Sequence, residues 1–351
     1  MLYPELDTPC VVIDETRTEQ NIARFQRYCD EYGIRLRPHI KTHKLTYLAR
    51  KQVDAGAQGI CCQKLGEAEV FAAAGFDDIL ISYNIVGARK LQRLRELAER
   101  VRQLTVVADS VAVLQGLSTA FAATKPLGVM IECDTGAGRC GVRTPAEVVA
   151  LARQVEALPG LQLRGLMTYP QPFMEERVQQ WLQTAAAYCA AEGIRVEVFS
   201  SGGTPSMWYA HKAPIVNEYR AGTYVYQDRS QIAQGACTEQ DCALMVLSTV
   251  VSVPAPGRVI IDAGSKALTS DLLGQEGYGQ IIGHPQARIT SLSEEHGILS
   301  VPPTATFTVG ERLLILPNHA CPVSNLFDQV HFCRGGRFIH SQQVEARGKV
   351  Y

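Results

Sequence analysis

The sequence has no excess of either charge that would create a strong electrostatic field. It contains 34 lysines and arginines against 35 aspartates and glutamates, for a formal net charge of -1. Without a basic field, nucleic acid and acidic membrane surfaces are excluded as leading partners. We therefore expect a small-molecule partner.

Long apolar stretches are also missing from the sequence. No apolar run reaches the length of about 18 residues that a membrane-spanning helix needs. The first residues are polar and contain proline, and they show no basic segment followed by an apolar one. This pattern predicts a cytoplasmic protein that makes no membrane contact.

Cysteine is too scarce for a fold held together by disulfides. The chain has eleven cysteines among 351 residues, and several lie in apolar runs such as Ile60 to Cys62. Reduced, buried thiols are the interpretation for most of them. Because 46% of the residues are hydrophobic, a chain of this length can bury a large core and exceeds the usual size of one domain. We expect two domains, or one barrel with an appendage.

Short apolar or β-branched runs alternate with helix-forming segments through most of the chain. Eight candidate strands cover Ile34 to Pro38, Gly59 to Cys62, Ile79 to Ser82, Leu104 to Ala108, Leu127 to Glu132, Leu163 to Thr168, Val196 to Ser200 and Tyr219 to Val225. Helix-forming segments cover Thr46 to Ala55, Gly66 to Ala74, Ala88 to Val101, Pro145 to Ala157 and Glu175 to Glu192. A capping box at Thr16 to Glu19 predicts that the first helix begins near Thr16. The alternation predicts a (β/α)8 TIM-type barrel over residues 14–230, with an open doubly wound sheet as the alternative.

The character of the sequence changes after about Gln231. Ala243 to Val253, Arg258 to Asp262 and Glu311 to Leu316 are β-rich, with turn signals between them and little helical periodicity. We predict that residues 1–13 and 231–351 form an appended all-β domain.

A basic segment, Arg37 to Lys44, lies where the first barrel strand is predicted to end. Active sites of such barrels are built at the C-terminal ends of the strands, so Lys41 can project into the barrel mouth. Partial desolvation there favours a reactive amine. A solvated basic loop is the alternative.

A glycine and hydroxyl loop, Ser200 to Pro205, follows the seventh predicted strand. Consecutive glycines allow backbone N–H groups to turn toward an anion, and Ser201 and Thr204 add hydroxyl donors. The later segment Arg220 to Tyr224 can complete a phosphate-binding cup with the amide of Gly222 and a phenol. An ordinary glycine-serine turn is the alternative.

A third segment, Asp134 to Val142, follows the fifth predicted strand and is rich in glycine. It presents Arg139, whose guanidinium can bind a phenolate or carboxylate oxygen through charge-assisted hydrogen bonds. By itself this segment indicates a loop at the barrel mouth and no particular ligand.

A fourth segment, Leu316 to Pro322, lies in the predicted β-domain. In a strand, residues i and i+2 share a face, so His319 and Cys321 can converge on one zinc ion and leave positions open for water or substrate. A buried thiol beside a hydrogen-bonded histidine is the alternative.

Taken in this order, the four segments resemble the D-threonine aldolase and D-serine dehydratase family, the metal-dependent branch of the alanine-racemase-like pyridoxal-phosphate enzymes. The likeness covers nearly the whole chain. It includes Asp7 to Pro9, Arg37 to Lys44, Gly59 to Lys64, Gly138 to Val142, the Gly202 to Thr204 loop, Leu247 to Val250, Asp262 to Gly264 and Pro317 to Asp328.

The resemblance implies roles for particular residues. Lys41 is the expected Schiff-base lysine, and Lys44 is its neighbour. The expected catalytic residues are Lys41, Arg139, Tyr169 and His319. The expected cofactor-binding residues are Lys41, Gln63, Arg139, Tyr169, Ser201, Gly202, Gly203, Thr204, Gly222, Thr223 and Tyr224. His319 and Cys321 are the expected ligands of a zinc or manganese ion, and a cysteine in the second position is similar to the dehydratase pattern.

One departure from the family pattern concerns the segment after Tyr169. Family aldolases commonly carry a histidine there that can supply a general base, but Pro170 to Met174 contains none, and no histidine occurs between His43 and His211. Retro-aldol cleavage and dehydration of a D-3-hydroxy amino acid therefore both stay open. Two further hypotheses are a metal-independent amino-acid racemase or epimerase and a non-catalytic pyridoxal-phosphate-binding protein. A homodimer is the expected assembly.

Overall fold

The computed structural model describes residues 2–123 and 125–351. Two compact units are present. The barrel unit comprises residues 25–41, 48–222 and 349–351, and the sheet unit comprises residues 1–24, 42–47 and 223–348. The predicted domain boundaries, 14–230 and 1–13 with 231–351, stay predictions, and Met1 lies outside the described residues.

The secondary-structure elements are numbered in chain order. The strands are β1 (Cys10–Asp14), β2 (Arg35–Leu36), β3 (Ile60–Cys62), β4 (Asp78–Asn84), β5 (Gln103–Ala108), β6 (Leu127–Cys133), β7 (Leu161–Thr168), β8 (Val198–Ser201), β9 (Glu218–Tyr219), β10 (Leu244–Ala255), β11 (Arg258–Ile261), β12 (Gln280–Ile281), β13 (Arg288–Leu292), β14 (Gly297–Ser300), β15 (Arg312–Leu316), β16 (Gln329–Arg334) and β17 (Arg337–Gln343). The α-helices are α1 (Glu15–Glu31), α2 (Thr46–Asp54), α3 (Leu65–Ala73), α4 (Ala88–Ala98), α5 (Val111–Phe121), α6 (Pro145–Ala157), α7 (Glu175–Ala191), α8 (Arg229–Ala233), α9 (Ser265–Leu268) and α10 (Ala320–Leu326). Short 3-10 helices cover Ile40–Thr42, Thr204–Lys212, Thr223–Val225 and Glu239–Asp241.

In the barrel unit, eight parallel strands form one sheet in the order β2-β9-β8-β7-β6-β5-β4-β3. A backbone bridge between His39 and Cys61 joins its two edges, supported by a 2.8 Å hydrogen bond from the Gln58 amide to the Leu36 carbonyl. Every residue of β6 is buried, as expected for a strand covered on both faces. The predicted alanine-racemase-like barrel is therefore confirmed, and the open-sheet alternative is wrong.

The predicted barrel elements agree with the observed ones with three exceptions. The helix α5 has no predicted counterpart, although its apolar residues are buried at helical spacing. The cap of α1 is Asp14, whose carboxylate accepts the Arg17 amide at 3.0 Å, so the helix begins one residue before the predicted Thr16. The predicted strand from Tyr219 to Val225 is wrong beyond Tyr219, because the chain turns into a 3-10 helix and tertiary context overrides the β preference of its residues.

In the sheet unit, nine strands form one sheet in the order β11-β14-β13-β12-β15-β10-β1-β16-β17. The pairs are antiparallel except for β1 with β16, so the N-terminal strand lies between the long strand β10 and a strand near the C-terminus. A buried apolar cluster that includes Val12, Leu247 and Leu316 packs on this sheet. The appended β-rich unit predicted from the sequence is confirmed.

The predicted strand geometry at His319 and Cys321 is wrong. The strand β15 ends at Leu316, and His319 has extended backbone dihedral angles as the residue that caps α10. Cys321 lies in the first turn of that helix. Among the described residues, no helix is both long and apolar enough to cross a membrane.

Candidate active site

Lys41 lies just past the C-terminal end of β2, in the turn Ile40–Thr42. Its Nζ is 3.4 Å from Oε1 of Gln63, which follows β3. The same Oε1 is 3.1 Å from Nε2 of His39, and Gln63 Nε2 donates to the Ser82 carbonyl at 3.2 Å. Because parallel strands end at one edge of a barrel, three neighbouring strands assemble this group around the lysine amine.

His39 is the buried centre of this group. Burial lowers the pKa of its imidazole well below the usual value, and the positive charges of Lys41, Arg220 and Arg139 lower it further. The ring is therefore neutral, and its Nε2–H donates to Gln63. Its Nδ1 is buried and has no hydrogen-bond partner among the described residues. Three cations around a neutral ring create a site that is complementary to an anion.

The loop after β6 presents Arg139 to Tyr169. The Asp134 carboxylate accepts the amides of Gly136 and Gly138 at 2.8 and 3.1 Å and thereby shapes the loop. The Arg139 guanidinium carbon lies 4.8 Å from the centre of the Tyr169 ring. A guanidinium at this distance from the face of a ring is attracted to it by a cation-π interaction.

The glycine loop after β8 needs its glycines. Gly202 has a φ of +109°, and a Cβ atom there would lie 2.4 Å from the Tyr219 ring. The Tyr219 hydroxyl donates to the Gly203 carbonyl at 2.9 Å. A Cβ at Gly203 would lie 3.2 Å from the Tyr169 ring, so Tyr169 connects this loop to Arg139.

The same loop ends at the N-terminus of the 3-10 helix Thr204–Lys212. Ser201 and Thr204 are both buried beside it. Backbone amides at a helix start, together with hydroxyl groups, bind phosphate well. Gly222 is the last residue of its segment in the barrel unit, whereas Thr223 and Tyr224 belong to the sheet unit.

In the sheet unit, His319 and Cys321 form a side-chain hydrogen bond. Burial disfavours the charged form of each group, but the attraction between the imidazolium and the thiolate is larger. The thiolate raises the pKa of His319 to about 9, and the imidazolium lowers the pKa of Cys321. The Cys321 sulfur also lies 3.1 Å from the Thr42 hydroxyl and 3.4 Å from the Thr223 hydroxyl. Thr223, predicted to bind the cofactor, thus contacts the predicted metal ligand.

Two aspartates that were not predicted surround this pair. The buried Asp228 carboxylate accepts the Ala320 amide at 2.9 Å and so holds the start of α10. Oδ2 of Asp271 lies 2.8 Å from Nδ1 of His319. Asp271 is 48 positions away from His319 in the chain, so no local pattern signals the contact.

A further group in the barrel unit was also not predicted. Asp109, Glu132 and Cys140 place one ligand atom each within 4.8 Å of one another. Burial raises the pKa of Glu132, and the charges of Arg139 and Arg220 oppose that rise. The carboxylate therefore faces the same cations that surround His39.

The residues present fit both implied groups. A lysine amine, a cationic surround and a glycine loop in which Gly202 leaves no room for a side chain suit an anionic aldehyde cofactor with a phosphate. An imidazole and a thiolate are ligands that zinc prefers.

Comparison with known proteins agrees with this arrangement. Residues 13–230 match the family described as alanine racemase, N-terminal domain, and residues 243–333 match the putative serine dehydratase domain. The chain is 37% identical to D-threonine aldolase from Arthrobacter sp., covering 98% of this chain and 93% of the relative. It is 38% identical to D-threo-3-hydroxyaspartate dehydratase from Delftia sp. strain HT23, covering 98% and 96%.

The crystal structure of D-threonine aldolase from Filomicrobium marinum matches with a TM-score of 0.92 and 31% identity, covering 99% of this chain and 97% of that one. The fold and site define the class as an alanine-racemase-like pyridoxal-phosphate lyase. The chain belongs to the D-threonine aldolase and D-serine dehydratase family.

Proposed function

We propose that this protein is a pyridoxal-phosphate-dependent and metal-assisted lyase that acts on D-3-hydroxy amino acids. The observation that carries the proposal is the position of His319 and Cys321 at the start of α10, where each stabilises the charged form of the other, because a racemase or a cofactor carrier needs no such pair. D-threo-3-hydroxyaspartate dehydratase, 34% identical and with a TM-score of 0.90, has been solved as a cysteine-to-alanine mutant in the metal-free form.

The barrel-unit residues have separate roles toward the cofactor. Lys41 holds it covalently, and Gln63 orients the lysine amine. Arg139 and Tyr169 bind and align its ring and phenolic oxygen. The phosphate is held by Ser201, Gly202, Gly203, Thr204 and Gly222. When bound, the cofactor supplies an electron sink for the charge left at Cα after a bond to that atom breaks.

His319 and Cys321 hold the metal, which supplies Lewis acidity to the substrate's β-hydroxyl. Two protein ligands leave the ion open positions, which suits catalysis better than scaffolding. A thiolate favours zinc over manganese. Dissociation of the imidazolium proton must accompany binding, since a ligating histidine is neutral.

Of the two lyase reactions, we favour elimination. Loss of the Cα proton and the β-hydroxyl releases one water and leaves an unsaturated amine. Hydrolysis of that amine consumes one water and releases a 2-oxo acid and ammonia. Retro-aldol cleavage needs a base for the hydroxyl proton, and Pro170 to Met174 provides no histidine for it. Cys321 in the second ligand position is similar to the dehydratase pattern.

The test is product analysis with purified protein, cofactor and either zinc or manganese. D-threonine, D-serine and D-threo-3-hydroxyaspartate are the substrates, and D-alanine and the L-enantiomers are the controls. We expect ammonia and 2-oxo acids from the D-3-hydroxy substrates only. Racemisation of D-alanine in the presence of a chelator would instead support the racemase, whereas stoichiometric glycine and aldehyde would support the aldolase.

A further inference from the structure

The imidazole of His319 has a carboxylate on one side. Nδ1 of His319 lies 2.8 Å from Oδ2 of Asp271, within the sheet unit. Because a carboxylate accepts hydrogen bonds, this contact keeps a proton on Nδ1. The lone pair that can bind a metal is then on Nε2.

Asp271 is held in place by the residue that precedes His319. Nδ2 of Asn318 donates to the carbonyls of Asp271 and Gly277, at 3.0 and 2.9 Å. The other end of the amide accepts from Arg229 at 2.6 Å. Asn318 is buried, and its side chain therefore holds both ends of the segment from Asp271 to Gly277 beside His319.

The other aspartate near His319 is already engaged. Asp228 accepts the amides of Ala320 and Gln231 and the hydroxyl of Ser230, at 2.9, 3.0 and 2.6 Å. It therefore supports the backbone of α10, and Asp271 is the carboxylate that contacts the imidazole directly.

We propose that Asp271 is a positioning residue for the metal site: it accepts the Nδ1 proton of His319, fixes the ring orientation and leaves Nε2 for the metal. This inference rests on the metal site of the proposed function. Carboxylates that bind the second nitrogen of a ligating histidine orient the ring and raise its basicity. The side chains of Asp271 and His319 are 46% and 31% exposed, and ion pairs that exposed contribute little to stability, so the contact can be removed without unfolding the protein.

The experiment measures zinc affinity of the cofactor-loaded full chain by competition with a chelating dye. Asp271→Ala is expected to weaken zinc binding by about 10- to 100-fold. Asp271→Asn keeps an acceptor oxygen for the Nδ1 proton and is expected to fall between wild type and Asp271→Ala. The matched control is Glu276→Ala, which removes a carboxylate from the same segment that pairs with Arg288 at 2.8 Å instead. The control is expected to bind zinc like wild type.

A double-mutant cycle separates positioning from direct ligation. If Asp271 acts through His319, adding Asp271→Ala to His319→Ala weakens zinc binding no further. Additive losses would show that Asp271 binds the metal by itself and would overturn the proposal. Cobalt substitution adds a spectroscopic readout, since Asp271→Ala is expected to change the ligand-field bands while the thiolate charge-transfer band from Cys321 persists.

Two failures are distinguishable. Equal zinc affinity of wild type and Asp271→Ala, or an equal loss in Glu276→Ala, would overturn the positioning role and leave the metal site standing. Absence of zinc and cobalt binding by the wild-type protein would overturn the metal site itself, and with it this inference.

Discussion

The two candidate sites handle charge in opposite ways. In the barrel unit, the cations Lys41, Arg139 and Arg220 surround a neutral His39, and the carboxylate of Glu132 faces two of these three cations. In the sheet unit, His319 and Cys321 stabilise each other's charged forms. This difference indicates that the barrel site is complementary to an anion, whereas the charges of His319 and Cys321 in the sheet site balance each other.

Removing the barrel lysine should have the strongest effect of all. Lys41→Ala is expected to abolish covalent cofactor attachment and lyase activity, because no other group replaces the amine. Lys44→Ala is the matched control, since its Nζ donates to Asn325 at 2.9 Å in the sheet unit. Borohydride reduction followed by peptide mapping measures the attachment site. A reduced cofactor on a lysine other than Lys41 would refute the assignment.

Breaking the sheet site alone is expected to leave the cofactor bound. Removal of the metal with a chelator forfeits several kcal/mol of Lewis-acid stabilisation, so activity on D-3-hydroxy substrates should fall at least about 100-fold. Cys321→Ser should weaken zinc binding more than manganese binding, because manganese has less preference for sulfur. Cys237→Ser, a partly exposed thiol of the same unit, is the control. Full activity after verified metal removal would contradict the metal-assisted mechanism.

A third prediction concerns a buried ion pair between two neighbouring barrel strands. Glu218 accepts from Arg37 Nε at 2.8 Å, between the neighbouring strands β9 and β2. Burial acts to raise the pKa of Glu218, but the charge and hydrogen bond of Arg37 outweigh it and lower the pKa. Glu218→Gln removes one of the two carboxylates that pair with Arg37, the other being Asp78 at 2.9 Å, and should reduce the free energy of unfolding by about 1–3 kcal/mol.

The pH dependence of this effect has a definite sign. Since the pKa of Glu218 is depressed in the folded state, its stabilisation is present above the unfolded pKa and is lost as the pH falls through the folded pKa. Denaturant unfolding between neutral and acidic pH should therefore show wild type losing more stability than Glu218→Gln. The exposed Glu197→Gln, paired with Arg195, should change little. Parallel curves for wild type and Glu218→Gln would count against the assigned charge.

The weakest effect is expected for single contacts in the anion-binding part of the barrel site. Arg139→Ala removes a charge-assisted contact worth about 1.5–3 kcal/mol, and Thr204→Ala removes a hydroxyl contact that is worth less. Cofactor retention should therefore weaken roughly 10-fold or somewhat more. Arg143→Ala removes an exposed arginine from the end of the same loop and should have no effect. Cofactor release by equilibrium dialysis measures the difference. Unchanged retention in both site variants would reject these contacts.

Much of the barrel was predictable because its signals are local. Buried parallel strands are continuous apolar runs, and α6 begins at the predicted Pro145, after a capping box formed by Thr144 and Glu147. The predicted lysine, arginine and glycine loops all follow strands, and parallel strands must end at one edge. Their side chains therefore had to lie at the barrel mouth, where Tyr169 contacts both Arg139 and Gly203.

Other features depend on packing that no single segment encodes. His319 and Cys321 were expected to meet on a strand, but they meet at the start of α10 because β15 ends before them. The segment after Tyr219 has a sequence preference for strand, but tertiary contacts override it and Thr223–Val225 is a 3-10 helix. In that helix the Thr223 hydroxyl lies 3.4 Å from the Cys321 sulfur.

The barrel, the β-rich appendage and the family could all be predicted from the sequence alone, since each depends on patterns within one segment or on the order of segments. The tertiary structure was needed to bring Asp271 to His319, across 48 positions, and to surround His39 with three cations. Contacts between distant segments depend on how whole elements pack, and the charges that shift a pKa act through space rather than along the chain.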